Sequence, residues 1–197
     1  MPHSKSENVS MLDLIFTKAR THRTWEKKCI EKALLEEIYN LAKLGPTSAN
    51  CCPLRVIFVE SVKAKEKLKG CLDAGNIEKT MAAPVTAIFA LDMEFYAQKG
   101  LGLNEAMREY FTKDPNFTYE NAFRNALLQA AYFMLAARAK GLDCGPMSGF
   151  SREKVDSLFF EGLTYKSDFL CNLGYGKKED LRDRKPRLSF SDVCKLV

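Results

Sequence analysis

The clearest pattern along the chain is apolar recurrence at helical spacing. Leu12, Ile15, Phe16 and Ala19 predict a helix from residue 11 to about Arg20. Leu34, Leu35, Ile38, Leu41 and Ala42 share one face of a second helix over 31–44, with Gly45 and Pro46 as its stop. The β-branched run "LRVIFVE" (54–60), bounded by Pro53 and Ser61, reads as a strand. "SVKAKEKLKG" predicts a short surface helix capped by Ser61. Pro84 precedes a second strand, "VTAIFAL" (85–91). Residues 92–117 are polar-rich and irregular; short helices are expected there, with a segment lying over a site.

The longest signal is "TYENAFRNALLQAAYFMLAARAKG", Thr118 to Gly141. Thr118 is its expected cap and Gly141 its stop. Its middle is apolar on nearly every side, the mark of a central, buried helix. "LDCGPMSGF" follows as a loop punctuated by Gly and Pro, then a helix from Ser151 through Phe160, and a third strand, "SDFLCNLGYG" (167–176). The chain finishes with basic "KKEDLRDRKPR" and apolar "LSFSDVCKLV". Helices dominate a few scattered strands, which predicts an α+β fold, a small sheet wrapped by helices. With no repeat and no low-complexity linker, one domain is expected over 11–197 behind a loose tail at 1–10.

Composition narrows the class. Hydrophobic residues make up 46% of 197, enough for a real core. The net charge of +5 permits an anionic ligand without demanding nucleic acid. Seven cysteines, without a C-x-x-C, suit a reduced intracellular protein better than a disulfide framework. Cys51 and Cys52 are expected in core or structural roles. The polar N-terminus has no apolar signal region, and no run approaches the ~18 apolar residues of a membrane span. A soluble, cytoplasmic protein is expected.

The chemistry is bounded by elimination. Only two histidines are present, His3 in the tail and His22 in a basic cluster with no obvious acidic partner nearby in sequence. A His-rich metal site is therefore impossible, and a Ser-His-Asp device would rest on His22 alone. Neither a phosphate-binding P-loop nor a dinucleotide fingerprint occurs. If the chain is an enzyme, a cofactor carries the hard chemistry. Four stretches could hold one. Arg20, Thr21, His22 and Arg23 suit a phosphate, or form a solvated basic helix end. Pro46, Thr47, Ser48, Ala49 and Asn50 suit a polar ring edge or polyol, or form a helix cap and turn. Gly145 to Gly149 allow backbone to approach a flat ligand, or form an ordinary connection. "RKPR" (184–187) adds cations, or is a solvated tail.

In this order, "ARTH", "LAKLGPTSANC", "AAPVTAI", "AFRNALLQAAY", "GLDCGPMSGF" and "FLCNLGYG" resemble the FMN-dependent nitroreductase superfamily over about residues 11 to 195. Within it they are similar to the branch that contains malonic semialdehyde reductase. The resemblance implies a sandwich with a central antiparallel sheet flanked by helices, in an intertwined homodimer with FMN at the subunit interface. It implies that Arg20, Thr21 and Arg23 meet the phosphate and ribityl chain. Pro46, Thr47, Ser48 and Asn50 would lie along the ring and ribityl chain, supplied by the other subunit. Pro146, Met147, Ser148 and Gly149 would pack on one ring face, with a backbone amide near Ser148 and Gly149 offered to flavin N5. Lys185 and Arg187 would close over the phosphate. Departures are Ala19, where many members are basic, Cys52, where many have Gln, and Ser148, where one branch has an acid.

The implied cycle is a ping-pong hydride transfer, NADH or NADPH giving a hydride to the flavin and an acceptor taking it. No catalytic side chain is required. Malonic semialdehyde, reduced to 3-hydroxypropanoate, is a plausible acceptor; nitroaromatics or quinones are the alternative, and so is a non-catalytic flavin-binding protein. Nucleic acid is disfavoured, since no aromatic interleaves with the C-terminal basic run before Phe190.

Overall fold

The computed structural model describes residues 10–197. The tail expected over 1–10 falls, Ser10 apart, outside the described residues. Four strands, β1 (Leu54–Val59), β2 (Val85–Asp92), β3 (Asp143–Met147) and β4 (Tyr165–Gly174), form one sheet in the order β1-β2-β4-β3. Every pairing is antiparallel, with Ile57 opposite Ile88, Ile88 opposite Leu170, and Pro146 opposite Cys171. Among the described residues seven α-helices accompany it: α1 (Lys32–Ala42), α2 (Val62–Lys69), α3 (Ala74–Ala82), α4 (Glu105–Thr112), α5 (Pro115–Ala139), α6 (Arg152–Phe159) and α7 (Phe190–Val193).

Strand β2 is buried along its whole length. Val85, Ala87 and Phe89 meet Ile38 of α1 and Phe133 and Ala137 of α5. Ile88 and Ala90 face the other way, onto Leu68 of α2 and Val155 of α6. Burial on both faces explains the unbroken apolar run that made this strand readable. A third cluster, with Phe95, Phe111, Ala122 and Ala126, seats the 93–113 excursion on the first half of α5. The excursion holds short helices, as expected. Buried Asp92 ties its root, accepting from Arg55 Nη2 at 2.6 Å, Glu94 N, Gln98 Nε2 and Thr164 Oγ1.

Several expectations are corrected. The first helix is a short π-type turn, Asp13–Thr17, and stops before Arg20. Leu41 does not join the buried face of α1 and is 48% exposed. Thr118 is not a cap: Asp114 accepts from the N–H groups of Asn116 and Phe117, and Thr118 Oγ1 donates to the carbonyls of Phe111 in α4 and of Asp114. Helix α5 is not uniformly apolar in its packing either. It buries Asn121, Asn125 and Gln129 while Leu127 and Leu128 remain 36% and 42% exposed. The "LDCGPMSGF" stretch begins as strand β3, at the sheet edge, where the outer flank meets no full strand and proline is tolerated. Helix α3 had no counterpart in the sequence pattern.

Candidate active site

The N-terminal basic patch leaves the π-type turn and runs beside β3. His22 N–H donates to Cys144 O at 3.1 Å, and Thr21 bridges Cys144 in parallel. His22, buried, points Nε2 at Asp143 Oδ1, 3.3 Å away, so its acidic partner comes from the far end of the sequence. Burial pushes the Asp143 carboxyl up, but hydrogen bonds from His22 and the Gly176 N–H, with the charges of His22 and Arg138, hold it below its ordinary value.

This registration brings Arg20, Thr21 and Arg23 to one wall of a cavity of about 450 Å³. Lys185 and Arg187 line the same cavity. Three further cations line it: Arg184, the first residue of "RKPR", with Arg182 just before it and Arg138 from α5. Arg184 Nη2 donates to the carbonyls of Phe16, Thr17 and Ala19 at 2.7, 3.1 and 2.8 Å. Desolvation, then repulsion from Arg20, Arg187 and Arg138, lowers the pKa of its guanidinium. Arg138, in the last turn of α5, donates from Nη1 to Ile15 O, while its Nε is buried without a hydrogen-bond partner. Asp180 and Asp183 also line the cavity, but the cations outnumber them. Arg138 carried a usable signal, a single charge in the apolar stretch "FMLAARA".

A smaller hollow of about 300 Å³ shares Arg23 with this cavity and adds Lys79 of α3, Trp25 and Lys177. Desolvation and then the charge of Arg23 lower the pKa of Lys79. Nearby, β3 ends in the turn Ser148–Gly149. Met147 is buried, and Thr80 Oγ1 meets its sulfur at 3.5 Å. Pro146 is half-buried, Ser148 exposed, and the Gly149 N–H has no partner among the described residues.

The loop Pro46–Asn50 lies elsewhere. It is bound to α5 and to the excursion: Ser48 N–H donates to Asn125 Oδ1 at 2.8 Å, Tyr132 Oη to Pro46 O at 3.2 Å, and Asn50 Nδ2 to Leu101 O at 3.0 Å. Ala49, Asn50 and Cys52 all adopt positive φ, at 48°, 56° and 42°, a conformation rarely taken by residues with side chains. Within one chain this loop does not reach the cation-lined cavity. Cys51 is buried, its thiol pushed up to about 11 by burial first and by Cys52 second, whereas Cys52 is partly exposed. Cys52, Tyr39, Arg55, Phe58 and Phe133 line a groove of about 420 Å³ along the open edge of β1. No helix among the described residues is long and apolar enough to cross a membrane.

The donor set fits a phosphate monoester. Guanidiniums converge from both ends of the chain, one buried Nε lacks an acceptor, and an adjoining hollow has room for a flat group. Comparison with known proteins agrees. The sequence profile of the nitroreductase family matches residues 17–177. The Bacillus subtilis protein ydfN, assigned as a nitroreductase, superposes with a TM-score of 0.81 at 26% identity, covering 91% of this chain and 95% of its own. A protein from Exiguobacterium sibiricum, assigned as a nitroreductase and solved in complex with FMN, is 19% identical, with a TM-score of 0.85 over 95% of this chain and 97% of its own. A protein of Staphylococcus epidermidis, assigned as an NAD(P)H:FMN oxidoreductase, is 20% identical, with a TM-score of 0.78 over 95% and 96%. The chain belongs to the nitroreductase family and is an oxidoreductase of that class.

Proposed function

We propose that the protein is an FMN-dependent NAD(P)H oxidoreductase acting as a homodimer, with residues 11–197 as one FMN-binding domain. The observation that carries this is the cation-lined cavity, in which segments some 160 residues apart in sequence face one space. Arg20, Arg23, Arg138, Lys185 and Arg187 would hold the phosphate by charge-assisted hydrogen bonds, and Thr21 would meet the ribityl chain. The 146–149 turn would back the ring and present the Gly149 N–H, while Lys79 would place positive charge beside the ring edge. When bound, FMN supplies the hydride chemistry, accepting from NADH or NADPH and passing on to an acceptor. The protein binds, orients and excludes water.

The homodimer reading is supported by what one chain leaves uncovered. Leu127 and Leu128 of α5, the groove along β1, and Leu188, Phe190, Val193 and Leu196 near the C-terminus all face solvent. A second copy covers these surfaces and brings Pro46, Thr47, Ser48 and Asn50 to the ring. Malonic semialdehyde is the acceptor proposed from the branch resemblance, and a cytoplasmic setting suits seven free cysteines. The test is direct. Protein incubated with excess FMN and desalted should stay yellow, and its visible flavin band should bleach on adding NADH or NADPH without acceptor. Colourless protein overturns the proposal; a yellow protein that neither nicotinamide bleaches favours flavin storage. Steady-state kinetics with malonic semialdehyde against a nitroaromatic panel then assigns the acceptor.

A further inference from the structure

The turn after β3 is held from outside by α3. Asn76 Nδ2 donates to Gly149 O at 2.7 Å, and the Asp73 N–H donates to the same oxygen at 3.1 Å. One residue back, Ser148 O accepts the Phe150 N–H at 3.1 Å. Both carbonyls around Gly149 are thus engaged. In a trans peptide the N–H points opposite to the preceding C=O, so fixing Ser148 O also fixes the direction of the Gly149 N–H. That N–H has no acceptor among the described residues.

Close approach makes the clamp possible. A Cβ at Gly149 would lie 2.5 Å from Asn76 Nδ2 and 2.8 Å from Asp73 Oδ2, so only glycine lets α3 sit this near. Helix α3 is itself braced against the sheet. Trp25 Nε1 and Asn172 Nδ2 donate to Lys79 O at 3.0 and 3.2 Å, and the Ser151 N–H donates to Cys71 O at 2.8 Å. A hydrogen-bonded path therefore runs from the central sheet through α3 to one backbone N–H beside the proposed ring site.

We propose that Asn76 is a positioning residue: by holding Gly149 O it fixes the Phe150 N–H of the same peptide, which holds Ser148 O and so sets the Gly149 N–H that meets the bound ring. This rests on the flavin reading. A donor held in place before the ligand arrives needs no reorganisation on binding, which is the source of its electrostatic value. Without the Asn76 amide, Gly149 O keeps one partner and the turn gains freedom.

The sequence offers a clean probe, because Gly149 is the only glycine preceded by serine. Protein labelled with carbonyl-¹³C serine and ¹⁵N glycine gives one carbonyl-coupled amide signal, that of Gly149. In the wild type, adding FMN should shift this signal and slow its hydrogen exchange. In Asn76→Leu, and in the isosteric Asn76→Asp, the shift should shrink and the protection fall by about fivefold or more, the scale of one lost hydrogen bond, while FMN still binds. A folded, FMN-loaded variant with the wild-type shift and protection overturns the clamp. Wild-type protein that binds no FMN, with an unmoved Gly149 signal, instead sinks the flavin reading and the clamp with it.

Discussion

Arg20 and Arg184 donate to the same two carbonyl oxygens. Arg20 Nη1 reaches Thr17 O at 3.2 Å and Ala19 O at 2.9 Å, and Arg184 Nη2 reaches them at 3.1 and 2.8 Å. Two guanidiniums from opposite ends of the chain are held side by side although they repel. An anion in the cavity relieves that repulsion. Arg184→Ala should therefore weaken FMN binding by about tenfold, the scale of one favourable charge interaction with the anion. Titration calorimetry of wild type and variant checks this; unchanged affinity would show that Arg184 only caps the π-type turn.

Gly45 ends α1 under the ring of Tyr132, and a Cβ there would lie 2.0 Å from that ring. Tyr132 in turn donates to Pro46 O. Gly45→Ala should destabilise the fold by about 1–3 kcal/mol, an overpacking cost. Urea unfolding would measure it. The same substitution made in a Tyr132→Ala background should cost less, since the clash is then absent; equal costs in both backgrounds would contradict the steric account.

Acid should act through Asp143. Its carboxyl is held below the ordinary 3.8, so the folded state binds this proton less readily than the unfolded chain. The resulting stability is fully present above pH 3.8 and is lost as pH falls through the lower folded value. Thermal melts from pH 6 to pH 3 should therefore fall more steeply for wild type than for Asp143→Asn. Parallel curves would mean that the contact with His22 contributes nothing.

The C-terminal segment carries a dimerisation prediction. Leu188 is 75% and Leu196 89% exposed in one chain, apolar surface that a second copy would cover. Removing residues 188–197 should shift light-scattering mass toward the monomer and loosen FMN binding, while the circular dichroism of the fold persists. A truncated protein that remains fully dimeric would place the interface on α5 alone.

What the sequence disclosed depended on where each element is buried. Strand β2 and helix α5 announced themselves because the core demands long apolar stretches. Helix α3, "AGNIEKTMA", did not: of its residues only Thr80 is buried, and Gly75 weakens the helical signal. Strand β3 was obscured by Gly145 and Pro146, which punctuate most sequences but sit comfortably at a sheet edge. Arg20, Thr21, Arg23, Lys185 and Arg187 were recognisable as a group through the family resemblance. Arg184 was visible only as part of a basic stretch, and Arg138 not at all as a site residue, because their place depends on the carbonyls that the π-type turn near the N-terminus leaves open. The partnership of His22 with Asp143 was equally hidden, since only strand β3 and its neighbouring segment bring residues so distant in sequence together.

Helix α5 grips the Ser48 backbone at Asn125 and reaches the cationic cavity at Arg138, thirteen residues later. At 1.5 Å per residue that separation is about 20 Å. The helix is thus a ruler whose length one subunit cannot alter. Adding a single residue between those two points would swing Arg138 about 100° around the axis and out of the cavity, and would turn Phe133 and Ala137 away from the sheet with it. Homologous chains that tolerate insertions elsewhere should keep this interval unchanged.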